Sequence, residues 1–248
     1  MNYGYQNEVD FVNHFNNKYI YELDSNSQMF LKDLFSDIVD DNVKIICWKN
    51  KMRQKADIFI KCKNHVKNIS LKCGHSNSVH GESVNDFVDY MKKLDIPYNV
   101  INIYLNYHYG YVKDENGNLD FSKSLSADEY KLLYQDEINY FNREINKIRI
   151  IIDMIDRFII RGKNANYDID ALVSGTIDDY VWIKKYDLYE LILSKRNYKY
   201  TSPHFCCITI GPKKRNLNKN SKNPKDRYLI AVRWNYIRES IIEYKNNL

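Results

Sequence analysis

Apolar residues recur at intervals of three and four positions in several stretches of the chain, which places them on one face of a helix. Helices are therefore predicted over residues 6–17, 25–38 and 83–95. The second of these has Ser25 as its expected N-cap, with Gln28 three positions later as in a capping box.

Shorter apolar runs, rich in β-branched and aromatic residues, predict strands. Two such runs, 57–62 and 66–73, are separated by only three polar residues and predict a β-hairpin. Residues 99–112 also alternate more as a strand does than as a helix does. The remaining predicted strands cover residues 43–48, 204–211 and 227–234.

The longest periodic stretch covers residues 126–162. Ser126 and Glu129 form a capping box at its start, and Gly162 marks its end. The pattern is compatible with one long helix or with two helices that break near Asn146. Its apolar face belongs either to the core or to a dimer interface, and the pattern does not choose between them.

Strands and helices mixed in this way predict one α/β domain over residues 1–248. The chain has 248 residues, 44% of them hydrophobic and 28% charged, which suits a globular protein with a core of normal size. No repeat or linker divides it. We therefore expect a core over about residues 5–112, with helical and C-terminal β elaboration over about 126–248.

Compartment and class follow from features that the sequence lacks. No apolar run reaches the length of about 18 residues that a membrane span needs. The first residues carry neither the basic nor the apolar part of a secretory signal. The odd number of cysteines, five, favours reduced thiols over a disulfide framework. Together these features predict a cytoplasmic protein.

The formal net charge of +5 is compatible with a polyanionic partner. The densest positive run lies between the last two predicted strands, in residues 213–227. It is interpreted either as a solvated loop or as a clamp in which cations neutralise DNA phosphates. The residues expected to contact DNA in this run are Lys213, Lys214, Arg215, Lys219 and Lys222.

The predicted hairpin brings several chemically active side chains to one end. Ser70 and Lys72 are two positions apart on one strand, so they point to the same face. Asp57 opens the partner strand, and Glu82 ends the polar stretch that follows the hairpin. A lysine and two carboxylates are therefore expected to converge there.

Phosphodiester hydrolysis needs such a set of groups. Asp57 and Glu82 offer oxygen ligands for a hard divalent cation. A bound cation neutralises the scissile phosphate and acidifies a water molecule. Lys72 is placed to orient the nucleophile and to offset the developing charge.

The hairpin resembles the PD-(D/E)xK nuclease superfamily, which includes restriction endonucleases and Holliday junction resolvases. Asp57 matches the acid of this motif, Lys72 matches its lysine on the next strand, and Glu8 resembles a glutamate on the first helix. The resemblance covers about residues 5–95. It implies a restriction-endonuclease-like fold, a mixed central sheet flanked by helices.

The resemblance also implies Mg²⁺ as cofactor, with Mn²⁺ as a substitute, and double-stranded DNA as substrate. The chain departs from the motif at Ser70, where the family has Asp or Glu. Some restriction endonucleases look similar, with the missing acid displaced to a later helix, and Glu82 is the candidate for that role. Ser70 would then bond a phosphate oxygen or a metal-bound water, and Glu8 would support the metal.

The polar stretch after the hairpin allows other interpretations. Cys73, His75, His80 and Glu82 are zinc-ligand types, but their spacing matches no usual structural zinc pair. No G-x-S-x-G elbow, Walker A motif or G-x-G-x-x-G motif is present. The residues of this stretch expected to contact nucleic acid are His75, Asn77, Ser78 and His80.

The sequence thus predicts a metal-dependent DNA endonuclease of restriction type that acts as a homodimer. One alternative is a DNA-binding protein of the same fold with a decayed catalytic centre, which the serine at position 70 favours. Another is a protein-interaction factor whose basic segment meets an acidic protein.

Overall fold

The computed structural model describes residues 3–36, 40–52, 54–74, 77–114, 116–120, 124–163, 166–197, 199–215 and 223–247. The helices are α1 (Tyr3–Phe15), α2 (Ser25–Leu34), α3 (Val84–Lys93), α4 (Tyr98–Tyr109), α5 (Ala127–Leu133), α6 (Gln135–Ile145), α7 (Ile148–Ile155), α8 (Lys185–Ser194) and α9 (Ile237–Asn246). The strands are β1 (Ile45–Lys49), β2 (Ile58–Cys62), β3 (His65–Lys72), β4 (Ser78–Ser83), β5 (Val112–Lys113), β6 (Leu119–Asp120), β7 (Ala171–Thr176), β8 (Asp179–Lys184), β9 (His204–Phe205), β10 (Ile208–Pro212) and β11 (Leu229–Arg233).

The chain is mixed α/β, as predicted, and divides into two compact units. The first unit contains Met1–Asn77, Ile155–Leu191 and Tyr236–Leu248, and the second contains Ser78–Met154 and Ile192–Asn235. Each unit has its own sheet. The expectation of one domain over residues 1–248 stays a prediction.

The sheet of the first unit has the strand order β1-β2-β3-β7-β8. Strands β1, β2 and β3 form an antiparallel meander, β3 and β7 are parallel, and β7 and β8 are antiparallel. The predicted hairpin is confirmed, with Cys62 paired to His65. Two strands of this sheet, β7 and β8, come from the part of the chain that was expected to be elaboration.

Alternation along the strands produces the core of this unit. Ile45 and Cys47 are buried on one face of β1, while Ile46 is exposed on the other. α1 packs against β1, and the phenylalanines of α1 and α2 join the same apolar cluster. α2 is capped by Asp24, whose side chain accepts from the Ser27 N–H, rather than by the predicted Ser25.

Helix α9 contacts β7 and β8 at the other end of this sheet. Arg238 donates to the carbonyls of Ser174 and Asp179 and forms an ion pair with the Asp179 carboxylate at 2.6 Å. The Lys245 ammonium lies 3.7 Å from the centre of the Trp182 ring. Residues far apart in sequence therefore complete the first unit.

The sheet of the second unit is antiparallel, with the order β4-β11-β10-β9. α3 contacts β4 and β11, and α4 contacts β10 and α6. The predicted strand 204–211 is two strands, β9 and β10, joined at Cys206, which has a φ of 45°.

The prediction of a strand over residues 99–112 was wrong, because this segment forms α4. Its buried residues recur at helical spacing. The helix ends at Gly110 in the left-handed region, where a Cβ atom would lie 2.5 Å from the Leu125 carbonyl oxygen. Aromatic residues on both faces of the helix produced the misleading alternation. The buried residues of α4 include Val100, Ile101, Tyr104, Tyr107 and His108.

The periodic stretch 126–162 is neither one helix nor two. The Ser126–Glu129 capping box is confirmed, and so is the break near Asn146, but a further break at Tyr134 separates α5 from α6. A π-helical segment, Asp156–Ile160, follows α7. Most of the apolar face lies in the protein interior, with Tyr130, Ile138, Phe141, Ile145 and Ile155 all buried.

No helix formed by the described residues is both long enough and apolar enough to cross a membrane. The five cysteines are free thiols, and each of them except Cys73 is buried.

Candidate functional site

Asp57 is held at the start of β2 by its own backbone. Its N–H donates to the Ile69 carbonyl at 2.8 Å, and its carbonyl accepts from the Asn50 N–H at 2.9 Å. The side chain continues this pairing toward β3. Oδ2 accepts from the Leu71 N–H at 2.6 Å and from the Ser70 hydroxyl at 3.2 Å. Asp57 and Ser70 are therefore in direct contact, as the sequence predicts.

Lys72 lies on the same face of β3 as Ser70. Ser70 is fully buried, and Lys72, at the strand end, is half-buried. In the part of the chain that the structure describes, neither a hydrogen bond nor an ion pair engages the Lys72 ammonium. This cation is therefore available to a ligand at the end of the hairpin.

Lys55 is a second lysine at this end of the sheet, and the sequence reasoning missed it. Only 9% of its surface is exposed, and its ammonium donates to the Phe158 carbonyl in the π-helical segment. Burial lowers the pKa of Lys55 well below its usual range, the positive charge of Lys72 lowers it further, and the negative charge of Asp57 opposes both. Its position two residues before Asp57 is the one signal in the sequence that could have indicated it.

A polar cluster holds the segment before β2 in place. The Asn50 side chain donates to the Ala56 carbonyl at 2.9 Å and to the Tyr167 hydroxyl at 3.1 Å, and Tyr167 in turn donates to the side chain of Gln54. These bonds lie on both sides of Lys55 in the sequence. The bonds fix the backbone of this segment and so fix the positions of Lys55 and Asp57.

Glu8 has a different partner from the one that the resemblance implies. Its carboxylate lies 2.6 Å from the Lys49 ammonium, and Lys49 in turn lies 3.4 Å from the centre of the Tyr5 ring. Lys49 pairs with Ile58 across the sheet, so it points to the face opposite Ser70 and Lys72. The observed role of Glu8 is an ion pair at the edge strand.

Glu82 belongs to the second unit, where it lies on a strand instead of in a polar loop. It pairs with Ile230 on β11 and is 8% exposed. Its carboxylate oxygen lies 3.4 Å from Nε2 of His80. Burial raises the pKa of Tyr104 well above its usual range, and the charge of Glu82 raises it further. The prediction missed β4 because His80 and Gly81 interrupt its apolar pattern.

The other described residues predicted in this polar stretch lie in β4 or directly before it. Asn77 and Ser78 are exposed, and His80 is occupied with Glu82. His75 lies outside the described residues. The expected contact of these residues with nucleic acid stays a prediction.

Among the residues that the structure describes, no group of three or more His, Cys, Asp or Glu side chains is arranged to hold a metal ion. The zinc alternative includes His75 beside Cys73, His80 and Glu82, and His75 lies outside the described residues. Asp57 lies in the first unit and Glu82 in the second, so their joint role as metal ligands stays a prediction.

The basic segment contains two kinds of cation. Lys213 is exposed, 3.1 Å from the Asp226 carboxylate, and Lys214 is half-buried. Arg215 instead is 8% exposed, and its guanidinium lies 4.6 Å and 5.8 Å from the ring centres of Tyr107 and Tyr130.

Arg215 also donates to the Tyr107 and Leu125 carbonyls. A guanidinium enclosed in this way stabilises the second unit and is not a surface contact for phosphate, which corrects the expectation. Lys219 and Lys222 lie outside the described residues.

No protein-family model matches this chain, and no curated protein matches it significantly. The group that the structure does bring together is Asp57, Ser70, Lys72 and Lys55.

Proposed function

We propose that this protein is a metal-dependent DNA endonuclease that hydrolyses phosphodiester bonds in double-stranded DNA. The observation that carries the proposal is the contact of the Asp57 carboxylate with Ser70, on the strand face that also presents the unengaged ammonium of Lys72. A carboxylate beside a free cation at a strand end suits a phosphodiester substrate.

The strand connections are consistent with this proposal. The resemblance to PD-(D/E)xK nucleases implies a mixed central sheet flanked by helices. In the first unit, an antiparallel meander is followed by a parallel strand. Asp57 precedes one strand of the meander and Lys72 ends the next, which is the relation that the motif requires.

The residues present fit a hard divalent cation at one ligand position. Oδ2 of Asp57 accepts two hydrogen bonds, while Oδ1 has no partner among the described residues. Asp57 would hold Mg²⁺ through Oδ1, and Glu82 is the proposed source of the second carboxylate. When bound, the cation neutralises the scissile phosphate and lowers the pKa of a water molecule.

The other groups have roles that follow from their charge. Lys72 orients the attacking water and stabilises negative charge as it develops on the phosphate oxygens. Ser70 donates to Asp57 and fixes the direction of its carboxylate. Lys55 holds the π-helical segment against the start of β2 by its bond to the Phe158 carbonyl.

The test is incubation of supercoiled plasmid with the protein in Mg²⁺, in Mn²⁺ and in EDTA. We expect cleavage in both metals and none in EDTA. Asp57→Asn should lose cleavage, because it keeps an acceptor for the Leu71 N–H but removes the charge. Asp170→Asn is the matched control, since Asp170 also accepts from a strand N–H, that of Asn68, at 2.8 Å.

The role of Glu82 has a separate test. Titration of Mn²⁺ into the wild-type protein and into Glu82→Gln should show weaker binding to the variant. Equal affinity in the two proteins would remove Glu82 from the metal site.

A second candidate function is DNA binding without cleavage. Ser70 favours it, because a neutral hydroxyl that is fully buried and bonded to Asp57 supplies no ligand charge. Retention of DNA in a gel, with no cleavage in either metal, would select this candidate. A protein that neither cleaves nor retains DNA would select a protein-interaction factor.

A further inference from the structure

The second unit contains a cavity of about 680 Å³ that the proposed nuclease chemistry does not use. It is lined by α4, by α6 and by the segment that follows α4. This volume is in the range of sites for small molecules. Its lining includes Asn102, Ile103, Asn106, Tyr109, Tyr111 and Tyr140.

Asn106 is the residue that indicates a ligand. It is 9% exposed and lines the cavity, and its side-chain amide has no hydrogen-bond partner in the described part of the chain. An amide in this position is open to a water molecule or a ligand in the cavity. Asn106 therefore presents one donor and one acceptor to whatever occupies the cavity.

Aromatic rings line the same cavity as this amide. Tyr109 and Tyr111 are stacked, with ring centres 5.3 Å apart and an interplanar angle of 25°. Tyr140 also lines the cavity, and the Arg143 guanidinium lies 5.1 Å from the centre of its ring. Rings of this kind offer faces and edges to a flat heteroaromatic ligand.

We propose that this cavity binds an adenine base. Asparagine is the side chain that pairs with adenine in a bidentate way. Nδ2 of Asn106 donates to N7 of the base, and Oδ1 accepts from the exocyclic amino group, while the tyrosines contact the ring. This site is separate from the proposed nuclease chemistry and does not depend on it.

An adenine base could come from a free nucleotide or from a nucleic acid strand. A second cavity in the same unit, of about 620 Å³, is lined by Arg143 and Lys199. Both cations are exposed, and neither has an ion-pair partner among the described residues. Arg143 contacts the Tyr140 ring, which lines the first cavity. Phosphates attached to a bound base would therefore have this cation nearby.

Calorimetric titration of the wild-type protein with adenosine monophosphate, cytidine monophosphate and single-stranded oligomers of deoxyadenosine or deoxycytidine tests the proposal. The adenine ligands should bind at least about tenfold more tightly than the cytosine ligands. Binding of the mononucleotide identifies a nucleotide site, and binding of the oligomer alone identifies a strand site. Failure of both adenine ligands, or equal binding of cytosine, would overturn the proposal.

Asn106→Asp replaces the donor with an acceptor that repels N7, so adenine affinity should fall by about tenfold or more. Asn85→Asp, the same change at an exposed position of α3, is the control. Circular dichroism verifies that both variants fold. Unchanged affinity in a folded Asn106→Asp protein would refute the site. Lys72→Ala should bind adenine normally, so an inactive nuclease and an empty adenine site are distinguishable outcomes.

Discussion

The two oxygens of the Asp57 carboxylate have different surroundings. Oδ2 is committed to the Leu71 N–H and the Ser70 hydroxyl, and Oδ1 has no partner among the described residues. One oxygen thus fixes the side chain to the sheet while the other remains available. Such preorganisation is what a catalytic ligand requires, because no reorientation is needed when the reaction begins.

The Lys72 ammonium has the clearest predicted effect on activity. Lys72→Ala should lower the cleavage rate by about 10²–10³ and leave the fold and DNA binding intact, because one oriented charge is lost from the transition state. Lys61→Ala is the control, since Lys61 is on the same sheet face about 20 Å away by strand rise. A single-turnover plasmid assay measures both. Cleavage by Lys72→Ala at the wild-type rate would contradict the assigned site.

Lys55 predicts a dependence of stability on pH. Its folded-state pKa is lowered from 10.5, so between that lowered pKa and 10.5 the unfolded chain binds a proton that the folded chain does not. Raising the pH through this window therefore increases the free energy of unfolding, by at most about 1.4 kcal/mol per pH unit. Lys55→Met lacks this contribution.

Urea unfolding of both proteins at several pH values below 10.5 is the measurement. The stability of the wild type relative to Lys55→Met should increase with pH. A constant difference would show that Lys55 is protonated equally in both states.

The register of the hairpin explains how much of the site was predictable. Because side chains alternate with a period of two, Ser70 and Lys72 had to share a face, and Asp57 had to lie near Ser70. Glu8 and Glu82 were not predictable in this way, since their surroundings depend on packing between distant parts of the chain. Lys55 was missed because its burial depends on the Phe158 carbonyl, 103 positions away.

At the scale of the elements, the local sequence pattern predicted correctly those helices and strands whose packing partners are close in sequence. The hairpin β2–β3 and the helix α3 were predicted almost to the residue. Strand β7 was missed, because its parallel partner β3 is reached only by a long crossover. Its sequence also holds Ser174 and Gly175, which weaken a strand signal.

Gly175 shows how the β7–β8 turn depends on one residue. Its φ is +125°, and a Cβ atom there would lie 2.1 Å from the Asp179 carbonyl oxygen. Gly175→Ala should therefore lower the free energy of unfolding by about 2 kcal/mol or more. Gly81→Ala is the control, because its Cβ would meet the Ile230 oxygen at 3.6 Å, an ordinary contact. Equal denaturation midpoints for the two variants would contradict the turn geometry.

The basic segment should separate into binding and structural residues. Replacing Lys213 and Lys214 with Gln should weaken DNA binding and flatten the dependence of log K on log salt by about 0.9 per lost phosphate contact. Arg215→Gln should instead lower the Tm by about 4 °C or more, since a buried guanidinium loses its hydrogen bonds. Filter binding and thermal melts provide the two readouts. The reverse assignment, with Arg215 changing only the salt slope, would refute its buried role.

At the scale of the whole molecule, a nuclease with one centre per chain cuts both strands most simply as a two-fold dimer. We predict that sedimentation at micromolar concentration with DNA shows a dimer. We also predict that cleavage of plasmid yields the linear product without accumulation of nicked circles. The predicted interface, the apolar face of residues 126–162, is largely interior. Its exposed apolar residues include Ile148 and Ile152. A monomer with and without DNA, together with nicked circles, would exclude this mode of cutting.

The division of the first unit into three chain segments affects how the protein is made. Helix α9 donates side-chain hydrogen bonds to Ser174 of β7 and to Asp179, the first residue of β8, so the sheet that holds Asp57 and Lys72 gains these contacts only after residues 237–246 have left the ribosome. During translation the nascent chain would contain every proposed catalytic residue before these contacts of α9 can form. We therefore expect the proposed cleavage activity to appear only after the C-terminal helix has packed against the sheet.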